Sequence, residues 1–297
     1  MGKTLEDLKK SRERRQEILD KYGEVPKSIW EIDYSVGRNI IEYDGRKQHT
    51  IALEKHKKMD YDKSLHNEFS VSSQNVRGKD GGLSTFPPDL VKRVLQYYTD
   101  HFETVLDPCA GHNSRMQATY LLQRNYIGYD VSKEFMNFNR DVQKEITEEL
   151  FSFQEHPFII LREQSSEKLL EGDNSMDLIF TSPPYYSVEW YGDEPEQLGK
   201  EATYEGFLNR METIIRESYR VLKPERFCVF NINDFRLNGI FYPYHADIIK
   251  LYQKVGYKLW DVIIIKWKSA IGACFASQVE DRKVTAKSHE YLIVGKK

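Results

Sequence analysis

Cysteine is scarce: Cys109, Cys228 and Cys274 are the only three in 297 residues. Their scatter excludes a disulfide framework and a CxxC-type zinc site, so no metal is expected and a reduced, cytoplasmic setting follows. Long apolar runs are missing too. The longest, such as Val262–Ile265, fall far below the roughly 20 residues that cross a bilayer. The opening MGKTLEDLKKSRERRQ has no apolar h-region, so neither a secretory signal nor a membrane partner is expected. GxGxxG is absent, which argues against a dinucleotide, whose pyrophosphate needs a glycine-rich turn at a helix N-terminus. Neither charge sign dominates: 43 Lys and Arg against 46 Asp and Glu leave −3.

With 40% hydrophobic and 30% charged residues, the chain can bury a sizeable core, and wholesale disorder is not expected. The length suits one large α/β domain with an appendage, or two domains at most. Charge is unevenly spread: residues 1–85 balance at +2, 86–260 at −8 and 261–297 at +3. Basic ends of this kind are compatible with local phosphate contacts. Residues 4–21 read as a charged helix, opened by Thr4 and stopped near Gly23. Its cluster Lys9, Lys10, Arg12, Arg14 and Arg15 could track phosphates, but Glu13 and Glu17 make a solvated face the simpler reading. GKDGGLST at 78–85 is a connector by composition.

From residue 86 the pattern alternates. Strands are expected at 103–107, 126–130, 157–162, 176–181, 227–231, 258–267 and 289–295. Helices are expected at 112–124, 132–149, 204–222 and near 244–255. Repeated βα units mean a parallel, doubly wound sheet with helices on both faces. Ligands of such sheets sit beyond the carboxyl ends of strands, where strand order reverses. Polar and special residues collect at those ends: Asp107 to Gly111, Asp130, Gln164 to Ser166, Ser182 to Tyr185, and Asn231 to Asp234.

Two of these clusters suggest chemistry. Asp107 precedes a glycine and a helix, so its carboxylate can pair with an ammonium group while Gly111 lets a ligand approach the backbone. Asp130 closes the next strand, where an acid is placed to accept hydrogen bonds from a ribose. Together they describe a site for a nucleoside-type cofactor with a positive charge. In Ser182-Pro183-Pro184-Tyr185, neither proline can continue a strand ladder, so the turn is stiff and its carbonyls are fixed in direction. The Ser182 hydroxyl and a nearby carbonyl then form a rigid pair of acceptors beside the flat face of Tyr185. That arrangement suits the exocyclic amino group of a planar base; a strand-terminal turn with a buried tyrosine is the plainer alternative.

LDPCAGHNSR, GYDVS and TSPPYY, with Ser84-Thr85-Phe86-Pro87-Pro88 upstream and RVLKPERFCVF and KSHEYLIVGKK downstream, resemble the motifs of the S-adenosylmethionine-dependent DNA amino-methyltransferases. That family methylates cytosine N4 or adenine N6. The resemblance covers about residues 84–297 and implies a class I, Rossmann-like methyltransferase domain there. It implies a doubly wound, mostly parallel seven-stranded sheet with the last strand antiparallel, and cofactor and catalytic strands side by side. Residues 1–83 are then an N-terminal extension serving DNA engagement or assembly.

Carried over position by position, the resemblance gives Ser84, Thr85 and Phe86 to the methionine carboxylate and Asp107 to the methionine ammonium. Pro108, Cys109, Gly111 and Asn113 form the cofactor loop, Asp130 and Val131 meet the ribose, and Gln164 or Ser165 borders the adenine. Ser182, Pro183, Pro184 and Tyr185 hold the target base. Two departures stand out: His112 and Asn113 follow Gly111 where a second glycine is common, and no large recognition insert separates Gly111 from Tyr185. DNA reading therefore falls to the first 85 residues, the 186–203 loop or the 268–288 connection. Trp190 or Tyr191 is a candidate wedge for the gap left by a flipped base, with a hydrophobic lid as the alternative. Arg282, Lys283 and Lys287 are candidate phosphate contacts.

The implied reaction is direct attack of an amino nitrogen on the sulfonium methyl, with no covalent enzyme intermediate and no activated cysteine. Double-stranded DNA is the expected partner, within a restriction-modification system or as a solitary modification enzyme. Serine at the first position of the catalytic motif favours cytosine N4 by resemblance, with adenine N6 next. RNA, a protein glutamine amide, and a cofactor-binding but inactive regulatory protein are the further alternatives. Monomer and homodimer are both open.

Overall fold

The computed structural model describes residues 5–22, 25–32, 40–43, 46–49, 86–148, 156–186, 194–267, 283–285 and 287–297. Its centre is an eight-stranded sheet. The strands are β1 (Ile29–Ile32), β4 (Thr104–Asp107), β5 (Asn125–Asp130), β6 (Ile159–Glu163), β7 (Met176–Thr181), β8 (Leu222–Ile232), β11 (Lys258–Trp267) and β12 (His289–Lys296). They lie in the order β1-β11-β12-β8-β7-β4-β5-β6. Strands β4 to β8 are mutually parallel, and β12 runs antiparallel between β8 and β11. Two short hairpins complete the β structure among the described residues: β2 (Ile40–Tyr43) with β3 (Arg46–His49), and β9 (Phe235–Leu237) with β10 (Ile240–Tyr242).

Alternation along the strands sends successive side chains to opposite faces. Val105, Leu178, Phe180, Val229, Leu292 and Val294 enter one core with α2 (Pro88–Tyr98), α3 (Ser114–Leu121) and α4 (Lys133–Glu148). Leu106, Ile179, Cys228, Phe230 and Ile293 enter the other with α5 (Tyr204–Val221) and α6 (Tyr244–Val255). Both faces are covered, which is why these strands read as continuous apolar runs in the sequence. No helix among the described residues is long and apolar enough to cross a membrane.

The α/β doubly wound class is as expected, but the sheet has eight strands instead of seven. The addition comes from the N-terminal extension: β1 pairs in parallel with β11, Ile29 opposite Ile264 through Ile32 opposite Trp267. Trp30 and Ile32 are buried there. Helix α1 (Leu5–Tyr22) precedes it, and Tyr22 meets Tyr97 of α2 edge-on at 5.5 Å. Over Ile264–Trp267 the four-residue β1 thus takes the edge position from β11, and short edge strands of this kind offer little template for pairing with another chain. Strand β8 also starts earlier than its pattern suggested. It leaves α5 directly at Leu222, and an irregularity against β7 absorbs Glu225 at φ 62.

At Gly295 of β12 an added Cβ would lie 2.6 Å from Cδ2 and 2.8 Å from Cε2 of Tyr252, whose ring is fully buried. Gly295→Ala should therefore overpack this core and destabilise the fold by about 1–3 kcal/mol. A denaturant titration with an unshifted midpoint would show that the ring can retreat.

Candidate active site

From β4 the chain runs outward through β5 to β6, whereas β7 and β8 lie on the other side of β4. Strand order therefore reverses between β4 and β7, and their carboxyl ends flank the crevice where ligands of such sheets bind. Asp107 ends β4 and Thr181 ends β7.

Asp107 is fully buried and accepts from four donors. Thr181 Oγ1 donates to Oδ1 at 2.6 Å, with the Cys109 amide at 3.3 Å. The Arg115 Nε group donates to Oδ2 at 2.7 Å, with the Tyr126 hydroxyl at 2.9 Å. A carboxylate has about four lone-pair sites, so the acceptor capacity of Asp107 is filled from within. The ammonium expected beside it has a competitor on the chain itself, Arg115. Arg115 also donates to the carbonyls of Cys109 at 2.6 Å and Ala110 at 3.1 Å, and its guanidinium lies 5.0 Å from the centre of the Phe86 ring. Phe86 is thereby brought next to the side chain that pairs with Asp107. Burial pushes the Cys109 thiol up, with Asp107 and Asp130 adding to the effect, which disfavours its thiolate.

Gly111 has φ +50 and nothing within 4 Å of where a Cβ would stand. Its amide donates to Asp130 Oδ2 at 2.8 Å, and its carbonyl accepts from Asn139 Nδ2 at 2.9 Å. The loop is therefore pinned at both ends of one residue while its outer side stays open. Asp130 ends β5 and also accepts from the Ser132 amide at 2.8 Å, across Val131. Burial pushes its carboxyl up to about 6, against the two amides that favour its charge. The side-chain oxygens of Asn113 and Asn139 are buried with no hydrogen-bond partner. Both belong to the shell around Gly111, and unsatisfied acceptors of this kind are the places where a ligand's donors fit. Pro108 follows Asp107 into the same loop.

Gln164 and Ser165 continue β6 at the same end of the sheet. Gln164 Nε2 donates to the Lys168 carbonyl at 3.3 Å and Ser165 Oγ to Glu167 at 3.0 Å. On the other flank, Ser182-Pro183-Pro184-Tyr185 leaves β7, with Pro183 buried and Ser182, Pro184 and Tyr185 half-buried. The Tyr185 ring lies 6.1 Å from Tyr244 and 6.3 Å from Phe235, both edge-on. The Tyr244 hydroxyl is buried without a hydrogen-bond partner. Lys287 donates toward Asn233 Oδ1 at 3.4 Å, and burial lowers its ammonium to about 8. Lys283 is exposed at φ 53. Ser84, Thr85, Trp190, Tyr191 and Arg282 lie outside the described residues.

Arg115, Tyr126 and Thr181 were not foreseen. Each is an ordinary residue of a helix or strand in sequence, and only the fold brings it to Asp107. The β9–β10 hairpin was also missed, although Asn238-Gly239 between apolar residues was its signal.

A pinned glycine loop after β4, an acid at the tip of β5 and a proline-stiffened turn after β7 thus lie together at the carboxyl ends of three neighbouring strands. The family model of DNA methylases designated N6_N4_Mtase matches residues 2–141 and 176–297, and the chain belongs to that family. Among curated relatives it is 32% identical over 126 residues to the Type II methyltransferase M.Cfr9I of Citrobacter freundii, covering 36% of this chain and 42% of that one. It is 30% identical over 145 residues to the Type II methyltransferase M.XycI of Xanthomonas campestris pv. cyanopsidis, covering 40% and 47%. The matched stretches thus span less than half of these relatives. Among solved structures, a SAM-dependent methyltransferase of Methanosarcina mazei aligns over 72% of this chain and 99% of its own, with 12% identity and TM-score 0.48.

Two outcomes follow from the carboxylates. Asp107→Ala leaves a buried guanidinium without its partner, so it should cost about 3–5 kcal/mol of stability, visible as a large drop in unfolding midpoint. No drop would mean that Arg115 escapes to solvent. Asp130 titrates higher in the folded state than its ordinary 3.8, at about 6. Between those values the native state binds the extra proton, so this group's contribution to stability falls as pH rises through the window. Asp130→Asn should flatten that fall, and an unchanged profile of unfolding midpoint against pH would contradict it.

Proposed function

We propose that the protein transfers a methyl group from S-adenosylmethionine to the exocyclic amino nitrogen of a base turned out of duplex DNA, with cytosine N4 ahead of adenine N6. One observation carries this reading: the stiff Ser182–Tyr185 turn leaves β7 directly beside the Asp107–Gly111 loop of β4, the two joined by the Thr181 to Asp107 hydrogen bond of 2.6 Å. Membership of the DNA methylase family supports it.

The residues present fit the cofactor. Gly111 and its open outer side would admit it against the backbone. The remaining lone pairs of Asp130 would accept from ribose hydroxyls, which favours the charged carboxylate. The oxygens of Asn113 and Asn139 offer two further acceptors. Asp107 serves here as the buried anchor of the loop, with ammonium binding conditional on displacing Arg115. When bound, the cofactor supplies an electrophilic methyl on sulfur.

On the other flank, the Ser182 hydroxyl and the turn carbonyls would accept hydrogen bonds from the two amino N–H groups, which turns the nitrogen lone pair toward the crevice. Once the nitrogen carries the methyl group, one of those protons leaves it for water. Tyr185 holds the base ring face to face. Pro183 and Pro184 keep these groups from relaxing, so orientation contributes most of the rate. Serine at the head of the motif favours cytosine by family resemblance.

Incubation with methyl-labelled S-adenosylmethionine and separate DNA, RNA and protein, followed by nucleoside and amino-acid analysis, tests the reading. N4-methylcytosine is expected. N6-methyladenine would exchange the base, and label only in RNA or protein would overturn the DNA assignment. Stacking on an aromatic is worth roughly 1–3 kcal/mol per base, so Tyr185→Ala should cut turnover about tenfold to a hundredfold while cofactor affinity holds. Tyr185→Phe should be mild; an equal loss in both variants would mean that the hydroxyl matters more than the ring.

A further inference from the structure

We propose that the β9–β10 hairpin is the element that grips duplex DNA beside the target base, its Ile240–Phe241 edge entering a groove while Arg236 and Lys287 meet phosphates. The proposal rests on the DNA-modifying reading above and names the surface that reading requires.

Two residues separate the hairpin from β8, and β8 pairs with the catalytic strand β7, Thr181 opposite Phe230. Its inner side is fastened to the catalytic turn. Phe235 and Tyr242 stack at 5.0 Å and 12°. Phe235 reaches Tyr185 at 6.3 Å, while Tyr242 reaches Tyr186 at 6.3 Å and Tyr204 at 4.7 Å. The two-residue turn Asn238-Gly239 has both φ values positive, +51 and +82, which is the tight hairpin geometry. Anything bound by this ribbon is therefore held in fixed relation to Tyr185.

The outer side has opposite character. Phe241 is 44% exposed there beside Arg236, and Ile240, which alternation puts on the face of Tyr242, is 58% exposed near the tip of the ribbon. Two cations flank the Phe241 ring, the Arg236 guanidinium at 5.0 Å and the Lys287 ammonium at 5.6 Å. Residues 235–242 contain no acid. The Asp234 and Glu290 carboxylates favour the charge on Lys287 while they bond His245 Nδ1 at 2.6 Å and Asn231 Nδ2 at 2.7 Å. A rigid two-stranded ribbon with an apolar edge between two cations is complementary to a duplex, where apolar side chains wedge between base steps and cations take the phosphates. An apolar protein partner would offer the exposed Arg236 guanidinium no counter-charge. A base taken from the stack by the neighbouring turn needs such a filler.

The full chain is tested with a mixed-sequence duplex, the matching single strand, and S-adenosylmethionine. Arg236→Ala should weaken duplex binding and make the dependence of log K on log salt less steep by about one contact, and Arg236→Lys should restore that slope. Phe241→Ala should weaken duplex binding about tenfold with an unchanged slope, because a wedge carries no charge. All three should bind S-adenosylmethionine as the parent does. If Phe241→Ala fails to fold, the Arg236 pair decides. Unchanged duplex affinity and slope in variants of a chain that methylates DNA would overturn the hairpin assignment and leave the proposed function standing. A parent chain that transfers methyl groups only to RNA or protein would overturn both.

Discussion

The carboxylate of Asp107 holds the functional half of this molecule together. Arg115 from α3, Tyr126 from β5 and Thr181 from β7 converge on it, so a single side chain joins the central strand to both of its neighbours and to the following helix. An isolated charge at such depth would be prohibitive, and a lone guanidinium equally so. Paired and supplied with two further side-chain donors, they are mutually tolerable. The crevice at the strand reversal exists because these polar groups satisfy one another instead of collapsing into the apolar cores on either side.

That arrangement explains a division of labour between the two acids at the strand tips. Asp107 has no spare acceptor, and so fixes the loop. Asp130 is held by two amides, retains unused lone pairs and pays for its burial with a raised pKa. A ligand that donates hydrogen bonds to Asp130 restores some of the solvation that burial removed. Of the two acids, Asp130 is the one whose environment would improve on binding such a ligand.

Across the crevice the chemistry changes from ionic to aromatic. Tyr185, Tyr186, Tyr204, Phe207, Phe235, Tyr242 and Tyr244 touch in a continuous set of stacked and edge-on contacts. Rings have few rotatable bonds and large contact areas, so such a set is stiff at small entropic cost. It couples the proline turn to the hairpin.

Much of this was legible locally. Alternating apolar strands and amphipathic helices, acids and glycine at strand tips, and the double proline after Thr181 follow from periodicity and turn chemistry, which act over a few residues. They were enough to place β4 to β7, β11, β12, α5 and α6 within about two residues, with β8 missing its first five, and to single out Asp107, Gly111, Asp130 and Tyr185 as candidates. What the tertiary structure alone decided are pairings between distant positions. Thr181 reaches Asp107 across 74 residues, and β1 adds itself to β11 some 235 residues away. The hairpin at Asn238-Gly239 gains its meaning from Tyr185 on another strand. A side chain's partner over such distances is chosen by sheet order and packing, and neither is written in the spacing of the residues it joins.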